Sequence, residues 1–221
     1  MTSPNVKMKK ITVLNYKGGV GKTFVAVVLA ELFMVEGYRV AVVDTDPQLN
    51  AVDFLRNMDG GRVFENIEVV AAPALTPDFR ELIVRGYDLA IVDTPPNVAA
   101  NTSIKQTIAE SDLFVVPFML HRHALFAVER TFELLPVGWP ILPVCSVPSV
   151  RSKDKEHLLE MIREQLGTRD GCIWPVTFLP IFSRVECNLA ERRDFFYRLT
   201  EKEYQAFEAL RVTVANALWG D

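Results

Sequence analysis

A chain of 221 residues, 49% of them hydrophobic, is long enough to fill one sizeable core, and a single domain over residues 1–221 is expected, with residues 1–9 as a short flexible lead. Its formal net charge of −4 argues against a polycation, so any nucleic-acid binding would need a local basic patch rather than the field of the whole molecule. Cys145, Cys172 and Cys187 form no C-x-x-C, and no apolar run approaches the roughly 18 residues of a membrane span. These absences speak against a zinc site, a disulfide framework or a membrane segment, and a soluble cytoplasmic protein is expected.

In chain order, strands are predicted at Ile11–Asn15, Arg39–Asp44, Ile67–Ala71, Leu89–Asp93, Leu113–Pro117, Ile141–Val144 and Val176–Leu179. Most are continuous apolar runs, the pattern of strands buried on both faces. Helices are predicted between and after them, at Gly21–Glu36, Gln48–Arg56, Pro77–Val84, Thr102–Ala109, Leu125–Leu135, Lys155–Leu166 and Thr200–Leu218. The first ends before Gly37, a suitable helix-terminating residue. Alternating strands and helices imply an α/β fold with a doubly wound, mostly parallel sheet flanked by helices, and such sheets bind ligands at the strand C-termini.

The first strand runs into Lys17-Gly18-Gly19-Val20-Gly21-Lys22-Thr23-Phe24, a glycine turn that opens a helix. Successive backbone N–H groups in such a turn converge on phosphate oxygens, and the helix N-terminus adds partial positive charge. Lys22 is placed to reach the β- and γ-phosphates and Thr23 to offer its hydroxyl to Mg²⁺. The strict pattern G-x-x-x-x-G-K-[ST] fails at Tyr16, where it wants glycine, and Lys17 adds a second cation. Two later strands end in acids, Asp44-Thr45-Asp46-Pro47-Gln48 and Asp93-Thr94-Pro95-Pro96, so each brings carboxylate oxygen to the edge where the glycine turn lies. Mg²⁺ prefers oxygen ligands and keeps several waters, so such carboxylates often act on it through water.

The loop resembles the deviant Walker A box of the ParA/MinD family of P-loop ATPases. Asp44–Gln48 resembles that family's A′ motif, and Asp93 with the run before it resembles its Walker B. The resemblance covers most of residues 10–150. It implies that Lys17 reaches across a nucleotide-sandwiched homodimer to the partner's phosphates, with Gly18–Phe24 and Lys22 holding ATP. Asp46 would position or polarise the attacking water and, with Thr23 and Asp93, belong to the Mg²⁺ set. Asp44 either assists the metal region or caps its strand. Thr94 and Pro95 would sense the γ-phosphate. Where many relatives carry an asparagine that contacts the base, this chain has Cys145-Ser146, so main-chain groups near Leu179-Pro180-Ile181 are expected to read it. ATP rather than GTP follows from the resemblance alone.

Within the family, the missing cysteines turn the reading away from iron–sulfur reductases and carriers. The last helix carries Tyr204, Phe207, Leu210, Val214 and Leu218 along one side, with a mixed polar face instead of a lysine row, so packing onto the core is expected rather than membrane attachment. Few residues precede the first strand, so no N-terminal helix-turn-helix domain is expected. The resemblance then implies a small ParA-type partition ATPase that is cytoplasmic and nucleoid-associated. Its ATP dimer would bind DNA nonspecifically, and a ParB-like activator would speed slow hydrolysis. Candidate DNA contacts are Arg151, Lys153 and Lys155 in one cluster and Arg184, Arg192, Arg193 and Arg198 in another. Phe195, Phe196 and Tyr197 read as packing residues, and His121 and His123 as a solvated loop. An ATPase that positions another cargo and a metabolic P-loop ligase remain the alternatives.

Overall fold

A computed structural model describes residues 7–57, 67–73, 78–96, 103–119, 124–147, 157, 160–164, 166, 169–173, 177–180 and 199–220. The elements follow one another as β1 (Lys9–Val13), α1 (Lys22–Val35), β2 (Val40–Asp44), α2 (Asn50–Asn57), β3 (Ile67–Ala71), α3 (Phe79–Val84), β4 (Leu89–Asp93), α4 (Ser103–Ala109), β5 (Leu113–Met119), α5 (Ala124–Glu133), β6 (Ile141–Val147), β7 (Thr177–Pro180) and α6 (Glu201–Trp219). The seven strands form one sheet in the order β3-β2-β4-β1-β5-β6-β7, and every neighbouring pair is parallel. This is the doubly wound α/β sheet that the apolar runs predict. Residues 160–164 are helical within the stretch expected to form a helix at 155–166.

Alternation along the strands sorts the core into two layers. Ile11, Val13, Val40, Val42, Leu89, Ile91, Leu113 and Val115 face α1, α2 and α6. On the other side, Phe114, Val116 and Phe118 pack with α4 and α5, while Ala41, Val43, Ala90 and Val92 pack with α3. Helix α1 lies between sheet and neighbouring helices, which is why Val25 to Phe33 are buried almost without a break. A helix that is apolar all round is stable only in such a place.

The differences from expectation have local causes. Strand β1 ends at Val13 rather than Asn15, because Asn15 turns into the glycine loop and its side chain, not its backbone, takes the Pro117 carbonyl at 2.8 Å. Helix α2 starts at Asn50 instead of Gln48: Leu49 holds a left-handed φ of 52°, and Gln48 N–H is bound to Asp46 Oδ1 at 2.9 Å. Strand β6 extends to Val147, paired in parallel with β7.

In α6, Phe207, Leu210, Val214 and Leu218 are buried as expected, but Tyr204 is 48% exposed, one turn too early to reach the core. Trp219 closes the helix by stacking on Tyr38 at 5.2 Å between ring centroids. A capping box starts it: Thr200 Oγ1 accepts from Glu203 N–H, and the Glu203 carboxylate accepts from Thr200 N–H at 2.7 Å. No helix among the described residues is long and apolar enough to cross a membrane. Thr200→Ala should lower the free energy of unfolding by about 1 kcal/mol, read by denaturant titration. An unchanged midpoint would mean that the apolar stripe alone holds α6.

Candidate functional site

Parallel register builds the site. Val13 pairs with Asp93, and Asp93 pairs with Asp44, so the ends of β1, β4 and β2 stand in one row. The chain leaves Val13 for the glycine loop, which therefore lies beside both acids. Gly21 precedes α1 with a left-handed φ of 89°, a conformation that a side chain would strain. A Cβ on Gly18 would stand 3.4 Å from Pro96 Cβ, so the loop and the segment after β4 approach closely. No side chain caps the N-terminus of α1 and its first turn holds no acid, which leaves amide donors and partial positive charge for an anion. Gly18 to Phe24, Asp46, Pro47, Gln48, Pro95 and Pro96 line a cavity of about 740 Å³, a volume suited to a nucleotide.

Lys22 is buried in that lining, with Nζ donating to the Lys17 carbonyl at 3.3 Å. Burial pushes its ammonium below the ordinary lysine range, and the Asp93 and Asp46 carboxylates oppose that shift. Lys17 is half-buried and lies outside the cavity lining. Thr23 Oγ1 donates to Asp93 Oδ2 at 2.7 Å. The other oxygen, Asp93 Oδ1, is buried without a hydrogen-bond partner. Burial pushes the Asp93 carboxyl up to about 7; Asp44 and Asp46 add to the rise, while Thr23 and Lys22 counter it. An orphaned carboxylate oxygen beside a threonine hydroxyl is a donor set that fits a hydrated divalent cation.

The three acids have different surroundings. Asp44 Oδ2 accepts from the N–H groups of Ala51 and Val52 at 2.9 and 3.1 Å, and Oδ1 accepts from Asp46 N–H at 3.0 Å. Both its oxygens accept from backbone N–H groups, so Asp44 ties β2 to the first turn of α2. Asp46 is buried at the cavity wall, its Oδ1 accepting from Gln48 N–H. Thr94 Oγ1 donates to the Val13 carbonyl at 2.9 Å and fixes the segment that carries Pro95 and Pro96.

Asn50, Phe54 and Met119 also line the cavity and escape the motif reading, while Ser146, in the same lining, lies where many relatives carry the base-contacting asparagine. For Asn50 and Phe54, the amphipathic pattern of α2 was the available signal; nothing local marks Met119. Ser146 Oγ is buried without a hydrogen-bond partner, 3.9 Å from where a Cβ on Gly21 would stand. Pro180 ends β7, paired with Val147. Arg151, Lys153, Lys155, Arg184, Arg192, Arg193 and Arg198 lie outside the described residues, as do His121, His123 and Phe195 to Tyr197.

Comparison with known proteins agrees with this geometry. Residues 8–70 match a family model described as an AAA domain. The chain is 31% identical to the chromosome-partitioning ATPase Soj of Thermus thermophilus over 199 residues, 75% of this chain and 78% of that protein. It is 36% identical to the maintenance of carboxysome distribution protein A of Gloeobacter kilaueensis over 107 residues, 48% of this chain and 47% of that protein. In fold it is similar to a putative plasmid partition protein of Borrelia burgdorferi bound to AMPPNP, with a TM-score of 0.68, 16% identity and coverage of 95% and 99% of the two chains. It is also similar to pNOB8 ParA bound to nonspecific DNA, with a TM-score of 0.61, 19% identity and coverage of 97% and 100%.

Asp44→Ala should destabilise the fold by about 1–3 kcal/mol, because the N–H groups of Ala51 and Val52 lose their acceptor inside the protein. Denaturant titration reads the sign. An acid that served only a cation would instead leave stability unchanged or raised on removal, since its repulsion with Asp93 would vanish.

Proposed function

The chain belongs to the ParA/MinD family of deviant Walker A ATPases, and from that premise we propose that it is a partition ATPase that closes as an ATP-sandwich homodimer, binds DNA nonspecifically and opens on hydrolysis. The observation that carries this reading is the convergence of the Lys17–Thr23 loop, Asp46 and Asp93 on the C-terminal edge of the sheet. Support for the DNA step comes from the fold shared with pNOB8 ParA, whose structure holds nonspecific DNA. The two basic clusters, Arg151 to Lys155 and Arg184 to Arg198, are the proposed DNA contacts, joined into one surface when two copies close.

In this reading the amides of Gly18 to Thr23 and the Lys22 ammonium hold the triphosphate. Thr23 Oγ1 and Asp93 Oδ1 are the oxygens that would hold hydrated magnesium, which when bound neutralises charge between the β- and γ-phosphates. Asp46 orients the attacking water from the cavity wall. Lys22 lines the cavity of its own protomer, whereas Lys17 stands outside that lining, a position suited to the partner's phosphates. A water-orienting aspartate without an arginine finger, worth about 10³–10⁵ in other phosphate-loop enzymes, suits slow turnover and a ParB-like activator.

Three measurements test the proposal. Lys17→Ala should lower hydrolysis about a hundredfold and prevent dimer closure, while monomer nucleotide affinity holds; a variant that closes and hydrolyses normally removes the cross-subunit role. Asp46→Ala should trap the ATP dimer, and prompt dissociation in MgATP would contradict the assignment of Asp46. DNA gel shift across a salt series should show binding with ATP but not with ADP or without nucleotide. Turnover with no nucleotide-dependent shift would point instead to a metabolic ligase.

A further inference from the structure

Tyr16 stands where the strict phosphate loop has glycine, and the structure engages both its backbone and its ring. Its N–H donates to Thr131 Oγ1 at 2.9 Å, and Arg130 lies over its ring at 5.6 Å. Thr131 is fully buried in α5, and its hydroxyl proton goes to the Ala127 carbonyl at 2.6 Å, which orients a lone pair toward Tyr16. The hydroxyl thus has one donor and one acceptor task, both met. On the other side of Tyr16, Asn15 is fully buried; its Nδ2 donates to the Pro117 carbonyl of β5, and its Oδ1 accepts from Lys17 N–H at 2.8 Å.

The backbone ladder between β1 and β5 ends where Leu14 N–H meets the Val115 carbonyl. From there the Asn15 side chain continues the connection while the main chain turns away. The two residues preceding Lys17 are therefore fastened to β5 and α5, and Asn15 passes that hold to the first amide of the loop, Lys17 N–H. Backbone held at residues 15 and 16 sets the direction from which the Lys17 side chain starts.

We infer that Thr131, together with Asn15, is a positioning residue for Lys17: the hydroxyl on α5 and the side-chain amide just after β1 fix the backbone that aims the second lysine, and neither side chain needs to touch nucleotide. The inference rests on the cross-subunit role of Lys17 proposed above. It also gives the tyrosine at position 16 a physical task, because its N–H and ring are the parts that α5 holds.

The test is a double-mutant cycle on the 221-residue chain, with phosphate release measured in MgATP and duplex DNA, and affinity for a fluorescent ATP analogue measured alongside. Thr131→Val should lower kcat about tenfold with the analogue's affinity unchanged, because only the aim of Lys17 is lost. Thr131→Ser, which keeps the hydroxyl, should restore the parent rate. In the Lys17→Ala background, Thr131→Val should add no further loss. If the valine variant does not fold, Thr131→Ala removes the same hydroxyl without an added methyl and reads the same cycle.

The inference is overturned if the two losses multiply, if Thr131→Ser falls as far as Thr131→Val, or if analogue affinity drops in step with kcat. If Lys17→Ala hydrolyses at the parent rate, the cross-subunit reading fails and takes this inference with it. If Lys17→Ala is impaired while Thr131→Val is not, the inference alone falls.

Discussion

Two carboxylates on adjacent parallel strands at the same register, Asp44 and Asp93, set the problem that the rest of this edge answers. Both are fully buried, and burial is what chiefly raises the cost of ionising each; Asp44 adds to the rise at Asp93, and Asp46 adds to the rise at both. The molecule separates them by task. Asp44 spends both oxygens on backbone N–H groups of Asp46, Ala51 and Val52, so its charge is absorbed by the turn into α2. Asp93 receives only Thr23 on one oxygen and keeps the other unpartnered. One acid is bound into the backbone of a turn, and its neighbour keeps a buried oxygen without a hydrogen bond.

That division depends on layers far from the edge. The apolar faces of β1, β2 and β4 hold the three strand ends level, and α1 is pressed against them by α2 and α6. Helix α1 can end in an uncapped glycine because its burial, rather than its N-terminus, secures it. The free amides at that end are consequently available to phosphate. Lys22 is held below the usual lysine range by its burial, against the pull of the Asp93 and Asp46 carboxylates.

The opposite layer controls the approach to the loop. Helix α5 packs on β5 through Leu125, Val128 and Phe132 and presents Thr131 and Arg130 to Tyr16. The glycine loop thus has two supports of different kinds. Its exit is anchored in α1 on one face of the sheet, and its entry is tied to β5 and α5 on the other. Lys22 belongs to the first support and Lys17 to the second, so the two lysines of one short string are governed by different halves of the fold.

The sequence by itself determined the seven strands, the glycine loop and the acids at strand ends, because apolar runs, turn residues and terminal carboxylates are local patterns that neighbours in the chain can specify. It could not show that Asp44 ties β2 to α2, since that tie depends on amide groups aimed back from α2 across a turn with a left-handed Leu49. Nor could it show the hold of Thr131 on Tyr16, two residues more than a hundred positions apart. Only the parallel register and the packing of α5 bring those groups within hydrogen-bond reach, and no residue pattern along the chain encodes a distance of that kind.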